Sequence, residues 1–167
     1  GRYDVIMVDA YQDITIPFQM SSVEFFTEVR NHLAEDGIMV VNMNMRSDRE
    51  GAINDYLTDT IGSVFPSVVT APVRGGTNTE LFAAAKETDL PARLTEALPG
   101  LREENLAQMM QTVADVMETP ALGRRILTDD KAPVEVLGMR VIDEIIADEL
   151  EYYRKEIQAH GLRALFS

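Results

Sequence analysis

The chain has 167 residues, room for one domain or for part of one with an appendage, and its 46% hydrophobic and 26% charged content excludes a disordered chain. A net charge of −13 argues against a nucleic-acid partner, which needs clustered Lys and Arg, and no apolar run reaches the roughly 20 residues of a membrane helix. Cysteine is absent, which excludes disulfides and thiolate metal sites within this stretch and fits a reducing, cytoplasmic setting, and the two histidines, His32 and His160, stand far apart on helical segments and point to no metal site.

The first element is a strand. Val5-Ile6-Met7-Val8 is an apolar, partly β-branched run that ends in Asp9, with Tyr11 close behind. Such a run is expected to be buried on both faces of a parallel sheet, with Asp9 at the carboxyl edge, where α/β proteins place their chemistry. A central strand this close to residue 1 leads us to expect the C-terminal part of a larger α/β protein. Gln12 to Met20 reads as a loop around Pro17. Ser21-Ser22-Val23-Glu24 has the spacing of a capping box, and Val23, Phe26, Val29 and Leu33 then follow on one helical face until Gly37. Ile38 to Met43 is a second buried strand, and strand, helix, strand implies a right-handed parallel crossover.

Ser47 or Asp48 is the expected cap of a second helix, with Ile53, Tyr56, Leu57 and Ile61 on its inner face and Pro66 closing it. Ser67 to Val73 and Glu80 to Ala85 are the third and fourth strands. The short Arg74-Gly75-Gly76-Thr77-Asn78 link leaves no room for a helical crossover, so these two strands should pair antiparallel. Beyond Thr88 no further strand is expected. Pro91 suits the first turn of a short helix, and Pro99-Gly100 breaks it. Leu106, Met109, Met110, Val113, Val116 and Met117 form an amphipathic stripe, read as adaptable core packing. A long last helix, from about Val136 to His160, carries Val141, Ile142, Ile145, Ile146, Leu150 and Tyr153.

This order of elements resembles the closing half of a class I S-adenosylmethionine-dependent methyltransferase fold. At the level of residues it resembles the spermidine synthase family, the aminopropyltransferases and their spermidine-synthase-like relatives. The similarity rests on Tyr3 to Tyr11, Ile16-Pro17, Glu24-Phe25-Phe26, Leu33 to Asn42 and Asn78 to Ala83, covering residues 3–86, and on the late phrase Thr128-Asp129-Asp130-Lys131-Ala132-Pro133-Val134-Glu135. The fold class it implies is α/β, the C-terminal half of a Rossmann-like methyltransferase fold over residues 1–87 with a helical extension over residues 88–167 packed on it.

The resemblance further implies that the parent transfers an aminopropyl or methyl group. The donor would be decarboxylated S-adenosylmethionine or S-adenosylmethionine, and the acceptor an amine or another small molecule. Asp9 matches the aspartate that orients or deprotonates the attacking amine. The family's second aspartate should fall three residues on, at Gln12, which is neutral, and Asp13 is the nearest carboxylate. The family's Tyr-Pro-Ser-Gly-like phrase corresponds to Val73 to Asn78, where Arg74 would repel a cation. Both departures count against spermidine formation itself. The glycine-rich loop and the acidic residue that hold the donor nucleoside precede the first strand in the family, so this chain by itself is expected to lack a complete donor site and to be inactive.

Each candidate has a plainer reading. Asp9 is either the catalytic carboxylate or a loop anchor. Tyr11, Gln12 and Asp13 either line the acceptor entrance or pack over the sheet edge. Asn42 and Asn44 lie on the same edge, and the plainer reading of Asn44 is that it serves local backbone groups. Asp129, Asp130 and Glu135 are better read as capping and packing groups than as metal ligands, because Pro133 and apolar residues interrupt them. The alternative to an enzyme is a non-catalytic binding or assembly module, its acidic helical tail packed against a second copy as a homodimer.

Overall fold

Period-two and period-3.6 apolar patterns alternate through the first half of the chain, and the layers follow from them. The computed structural model describes residues 1–9, 17–43, 51–73, 78–131 and 134–160. Its elements are β1 (Tyr3–Val8), α1 (Val23–His32), β2 (Leu33–Met43), α2 (Ile53–Val64), β3 (Ser67–Pro72), β4 (Thr79–Ala84), α3 (Leu90–Ala97), α4 (Glu104–Val116) and α5 (Val134–His160), with short 3-10 turns at Phe18–Met20 and Leu98–Gly100.

The four strands form one mixed sheet in the order β1-β2-β4-β3. β1 and β2 run parallel, as the crossover requires, while β4 is antiparallel to both of its neighbours. The expected antiparallel pairing of the last two strands is present, and β4 folds back between β2 and β3. The α/β class and the mixed sheet closed by an antiparallel strand agree with the expectation from the sequence.

One face of the sheet packs on α1 and α2. Phe26, Leu33, Met39, Val41, Ile53, Leu57, Ile61 and Leu81 are almost wholly buried there. Arg30, in the last turn of α1, locks that layer: its guanidinium donates to the Val64 carbonyl at the end of α2 and to the Ala85 carbonyl after β4. Among the described residues the other face is covered only near β3, where Val69, Ala84 and Leu90 cluster with Ile38, Phe82 and Met117.

That one-sided cover corrects the expectation for β1. Ile6 and Val8 face the helices, but Tyr3, Val5 and Met7 are more than half exposed, because no described element lies over their face and β1 is an edge strand. A groove of about 480 Å³ between β1 and α1 is lined by Tyr3, Val5, Ile6, Glu28, Val29 and His32.

Boundaries moved in several places. α1 ends at His32, with Leu33 already extended, rather than running on to Gly37. Gly37 instead lies inside β2, at an irregularity of the β1–β2 register, where a Cβ would come to 3.0 Å from the Ala34 backbone. The capping box is displaced by one residue. Ser22, not Ser21, is the cap, accepting from the Phe25 amide at 3.3 Å, and Glu24 turns away to accept from the Asp129 amide at 3.1 Å. α2 starts after Ala52, which offers no side-chain cap; Ser47 and Asp48 lie outside the described residues. Pro66 ends that helix as expected, with Phe65 before it held extended.

In the second half, Asp89 caps α3 through the Ala92 amide, with Pro91 in the first turn. The methionine stripe is core only at its end: no residue of α4 is fully buried and Leu106 and Met109 face solvent, while Met110, Val113 and Val116 are half-buried and Met117 packs on the Val69, Ala84 and Leu90 cluster. The chain then does supply a strand-like contact that the sequence did not suggest. Glu118 and Thr70 exchange two backbone hydrogen bonds of 2.9 Å, which blunts the outer edge of β3.

Candidate functional site

Parallel strands bring their carboxyl ends to one edge of a sheet, and an antiparallel strand brings its amino end to the same edge. Asp9 directly follows β1, Asn42 is the penultimate residue of β2, and Asn78, Thr79 and Glu80 open β4. The register then decides which side chains share a face. Val5 pairs with Ile38 and Met7 with Val40, while Asn42 pairs with Glu80 and Glu80 with Ala71. Continuing the β1–β2 register by alternation puts Asp9 on the same face as Asn42 and Glu80.

Hydrogen bonds link these groups. Asn42 donates through Nδ2 to Asp9 Oδ1 at 3.1 Å, and Asn42 Oδ1 accepts from Asn78 Nδ2 at 3.0 Å. The Val73 amide donates to the Asn78 carbonyl at 3.0 Å, which fixes Asn78 at the start of β4. The Asn42 amide is therefore oriented from both sides and presents its donor to the carboxylate. Asp9 is exposed and so open to a solute, while Glu80 is half-buried beside it. Burial pushes the Glu80 carboxyl above its ordinary range, and the Asp9 charge pushes it the same way. Two carboxylates at one strand edge, with no cation between them among the described residues, repel each other. A positively charged group would relieve that repulsion.

Of the residues singled out from the sequence, Asp9 and Asn42 are thus brought together. Tyr11, Gln12, Asp13 and Asn44 lie outside the described residues, as does Arg74. Asn78 and Glu80 were not recognised as site residues. Only the strand register reveals them, although the antiparallel return of β4 was itself predictable.

Asp129 belongs to a structural contact. It accepts from the Ser22 hydroxyl while its amide donates to Glu24, and Asp130 sits in the turn closed between Thr128 and Lys131. These contacts tie the segment to the start of α1, where Ser22 is the cap, and not over the sheet edge. Among the described residues no group of three His, Cys, Asp or Glu could hold a metal ion.

The sequence itself has relatives. A probable polyamine aminopropyl transferase of Bifidobacterium longum (strain NCC 2705) is 52% identical over 181 residues, an alignment that takes in 98% of this chain and 40% of the relative. Over nearly its whole length the chain is similar to a polyamine aminopropyl transferase. It spans 40% of the length of that curated relative. Among solved structures, a probable spermidine synthase from Corynebacterium glutamicum ATCC 13032 is 21% identical with a TM-score of 0.44, over 72% of this chain and 48% of that one. A spermidine synthase in complex with the transition state analogue AdoDATO is 18% identical with a TM-score of 0.44, over 62% of this chain and 35% of that one. No protein-family model matches the sequence. No helix among the described residues is long and apolar enough to cross a membrane.

Proposed function

We propose that the full-length protein is a cytoplasmic aminopropyl transferase acting on a polyamine-class amine, with Asp9 as the group that receives the amine's proton. The observation that carries this reading is the Asp9–Asn42–Asn78 chain at the strand tips with Glu80 beside it. The 52% identical relative, whose name is that of a polyamine aminopropyl transferase, supports it.

The chemistry is an in-line displacement at the carbon bonded to a sulfonium, the donor being of the decarboxylated S-adenosylmethionine class. The amine nitrogen's lone pair forms the new C–N bond as the C–S bond breaks. Sulfur leaves with the bonding pair as a neutral thioether, and the nitrogen sheds a proton. An alkylammonium has no lone pair, so the acceptor must be deprotonated first, and a carboxylate within hydrogen-bond reach serves as base and as positioning group. Asn42 holds Asp9 with one oxygen engaged and leaves its remaining acceptor capacity for the amine.

The neutral Gln12 at the position of the family's second aspartate leaves one carboxylate too few for a dicationic acceptor. We assign that role to Glu80, which reaches the same edge from β4 rather than from the loop after β1. Tyr11, Gln12 and Asp13, next along the chain from Asp9, are assigned by their place in the sequence to the acceptor entrance. The donor nucleoside is assigned to parts of the parent protein outside this chain.

Steady-state kinetics on the full-length protein test the reading. Asp9→Asn should lower kcat about 100-fold or more, the usual contribution of a positioned general base. Glu80→Gln should act mainly by raising KM for the amine. An Asp9→Asn enzyme with unchanged kcat would show that the base lies elsewhere.

A further inference from the structure

An ionised carboxylate has no hydrogen to donate, and that fixes the direction of each bond in the Asp9–Asn42–Asn78 chain. Asp9 Oδ1 accepts at 3.1 Å, so Asn42 turns its Nδ2 toward Asp9 and its Oδ1 away. That Oδ1 then needs a donor, and Asn78 Nδ2 supplies one at 3.0 Å. The strand register puts Asn78 in reach. Asn42 pairs with Glu80 across the antiparallel β2–β4 ladder, and Asn78, two residues before Glu80, is its diagonal neighbour on the same face.

The oxygen and nitrogen of an amide have nearly the same shape, so a half-turn of the Asn42 side chain exchanges them at little steric cost. In the reversed arrangement Asn42 Oδ1 would face Asp9 Oδ1, two acceptors with no hydrogen between them. Asn78 opposes that turn, because its own Nδ2 would then meet a donor instead of an acceptor. Both asparagines are half-buried, and the Val73 amide holds the Asn78 carbonyl at 3.0 Å. Ionised Glu80, beside Asp9 on the same edge, has no donor to offer and cannot take over the hold.

We propose that Asn78 is a positioning residue for amine transfer, acting through Asn42. By fixing the Asn42 amide it pins Asp9 Oδ1, sets the plane of the carboxylate, and leaves Oδ2 to receive the proton of the acceptor amine. This role rests on the reading of Asp9 as the base. An exposed carboxylate at a strand tip swings unless something fixes it, and a displacement of about 1 Å costs about 100-fold in rate.

Steady-state kinetics on the full-length protein, with decarboxylated S-adenosylmethionine and a short aliphatic diamine, test the role. Circular dichroism melts confirm that each variant is folded. Asn78→Ala should lower kcat about tenfold and leave KM for the diamine within about twofold. Asn78→Asp, of nearly the same shape, should lose at least as much kcat, because its carboxylate draws Asn42 Nδ2 to itself and turns Oδ1 on Asp9; it decides the matter if Asn78→Ala does not fold. In an Asn42→Ala background, Asn78→Ala should change kcat less than about twofold, since the link is already broken. Losses that multiply in the double variant would overturn the proposal. So would an unchanged kcat in the single variants, or a rise in KM alone, which would put Asn78 against the substrate. Asp9→Asn, measured alongside, separates the two readings. A large loss there beside a harmless Asn78→Ala sinks the role of Asn78 alone, whereas an unaffected Asp9→Asn sinks both.

Discussion

Asp9, Asn42, Asn78 and Glu80 come from three strands, and no two of them are neighbours in sequence except across Thr79. Asp9 was legible because a carboxylate at the end of an apolar β run has few other uses. Glu80 was not, since its meaning depends on its pairing opposite Asn42. Its raised pKa makes it a stability group with a definite sign. The folded protein holds the Glu80 proton more tightly than the unfolded chain does. Its contribution is therefore fully present below the ordinary carboxylate range and is lost as pH rises through the raised value. Glu80→Gln cannot ionise. In urea unfolding at neutral pH the variant should have the higher midpoint, with the difference closing under acidic conditions. Equal midpoints across the whole pH range would mean that neither burial nor Asp9 burdens the Glu80 charge.

Among the elements, the extended segment from Glu118 to Lys131 contributes most that the sequence did not announce. It crosses α2 and is pinned by a buried carboxylate. Asp59 Oδ1 accepts from the Gly123 amide at 2.6 Å, and Oδ2 from the Arg125 amide at 3.0 Å. The fit is close enough that a Cβ on Gly123 would lie 2.7 Å from Asp59 Oδ2. Thr60, also buried, accepts from the Leu127 amide at 3.0 Å, and the Leu127 side chain enters the core between the helices. Its carbonyl accepts from the Val23 amide at 2.9 Å, which ties the segment to the start of α1. On a helix, Asp59 reads as one more solvated charge; its partners lie 64 and 66 residues downstream, so no local pattern could expose it. Asp59→Asn leaves one oxygen where two are needed and should cost about 1–3 kcal/mol in chemical denaturation. Leu127→Ala should cost about 2–5 kcal/mol through loss of burial and the cavity left behind. If neither variant shifts the unfolding midpoint, the segment is not part of the cooperative unit. The helix faces, by contrast, were readable from spacing alone, since Ile53, Leu57 and Ile61 are buried as their period requires.

For the molecule as a whole, the order of strands and helices and the antiparallel return of β4 follow from apolar period and link length. Placing β4 between β2 and β3 does not, because it depends on contacts far apart in sequence. β1 shows the opposite discrepancy: its sequence encodes burial on both faces, while in this chain Tyr3, Val5 and Met7 remain exposed. The strand edge carrying Asp9 and Glu80 is already assembled from residues within the chain, and that edge carries the central claim of a cation site for an amine acceptor. Isothermal titration of the full-length protein with a short aliphatic diamine, in buffers of different ionisation enthalpy, tests it most directly. The account predicts that binding expels a proton from Glu80 where that group is partly protonated, and that affinity falls at least tenfold in both Asp9→Asn and Glu80→Gln. In the Glu80→Gln protein the linked proton should vanish. Diamine affinity untouched by either substitution, with no change in proton uptake or release, would contradict it.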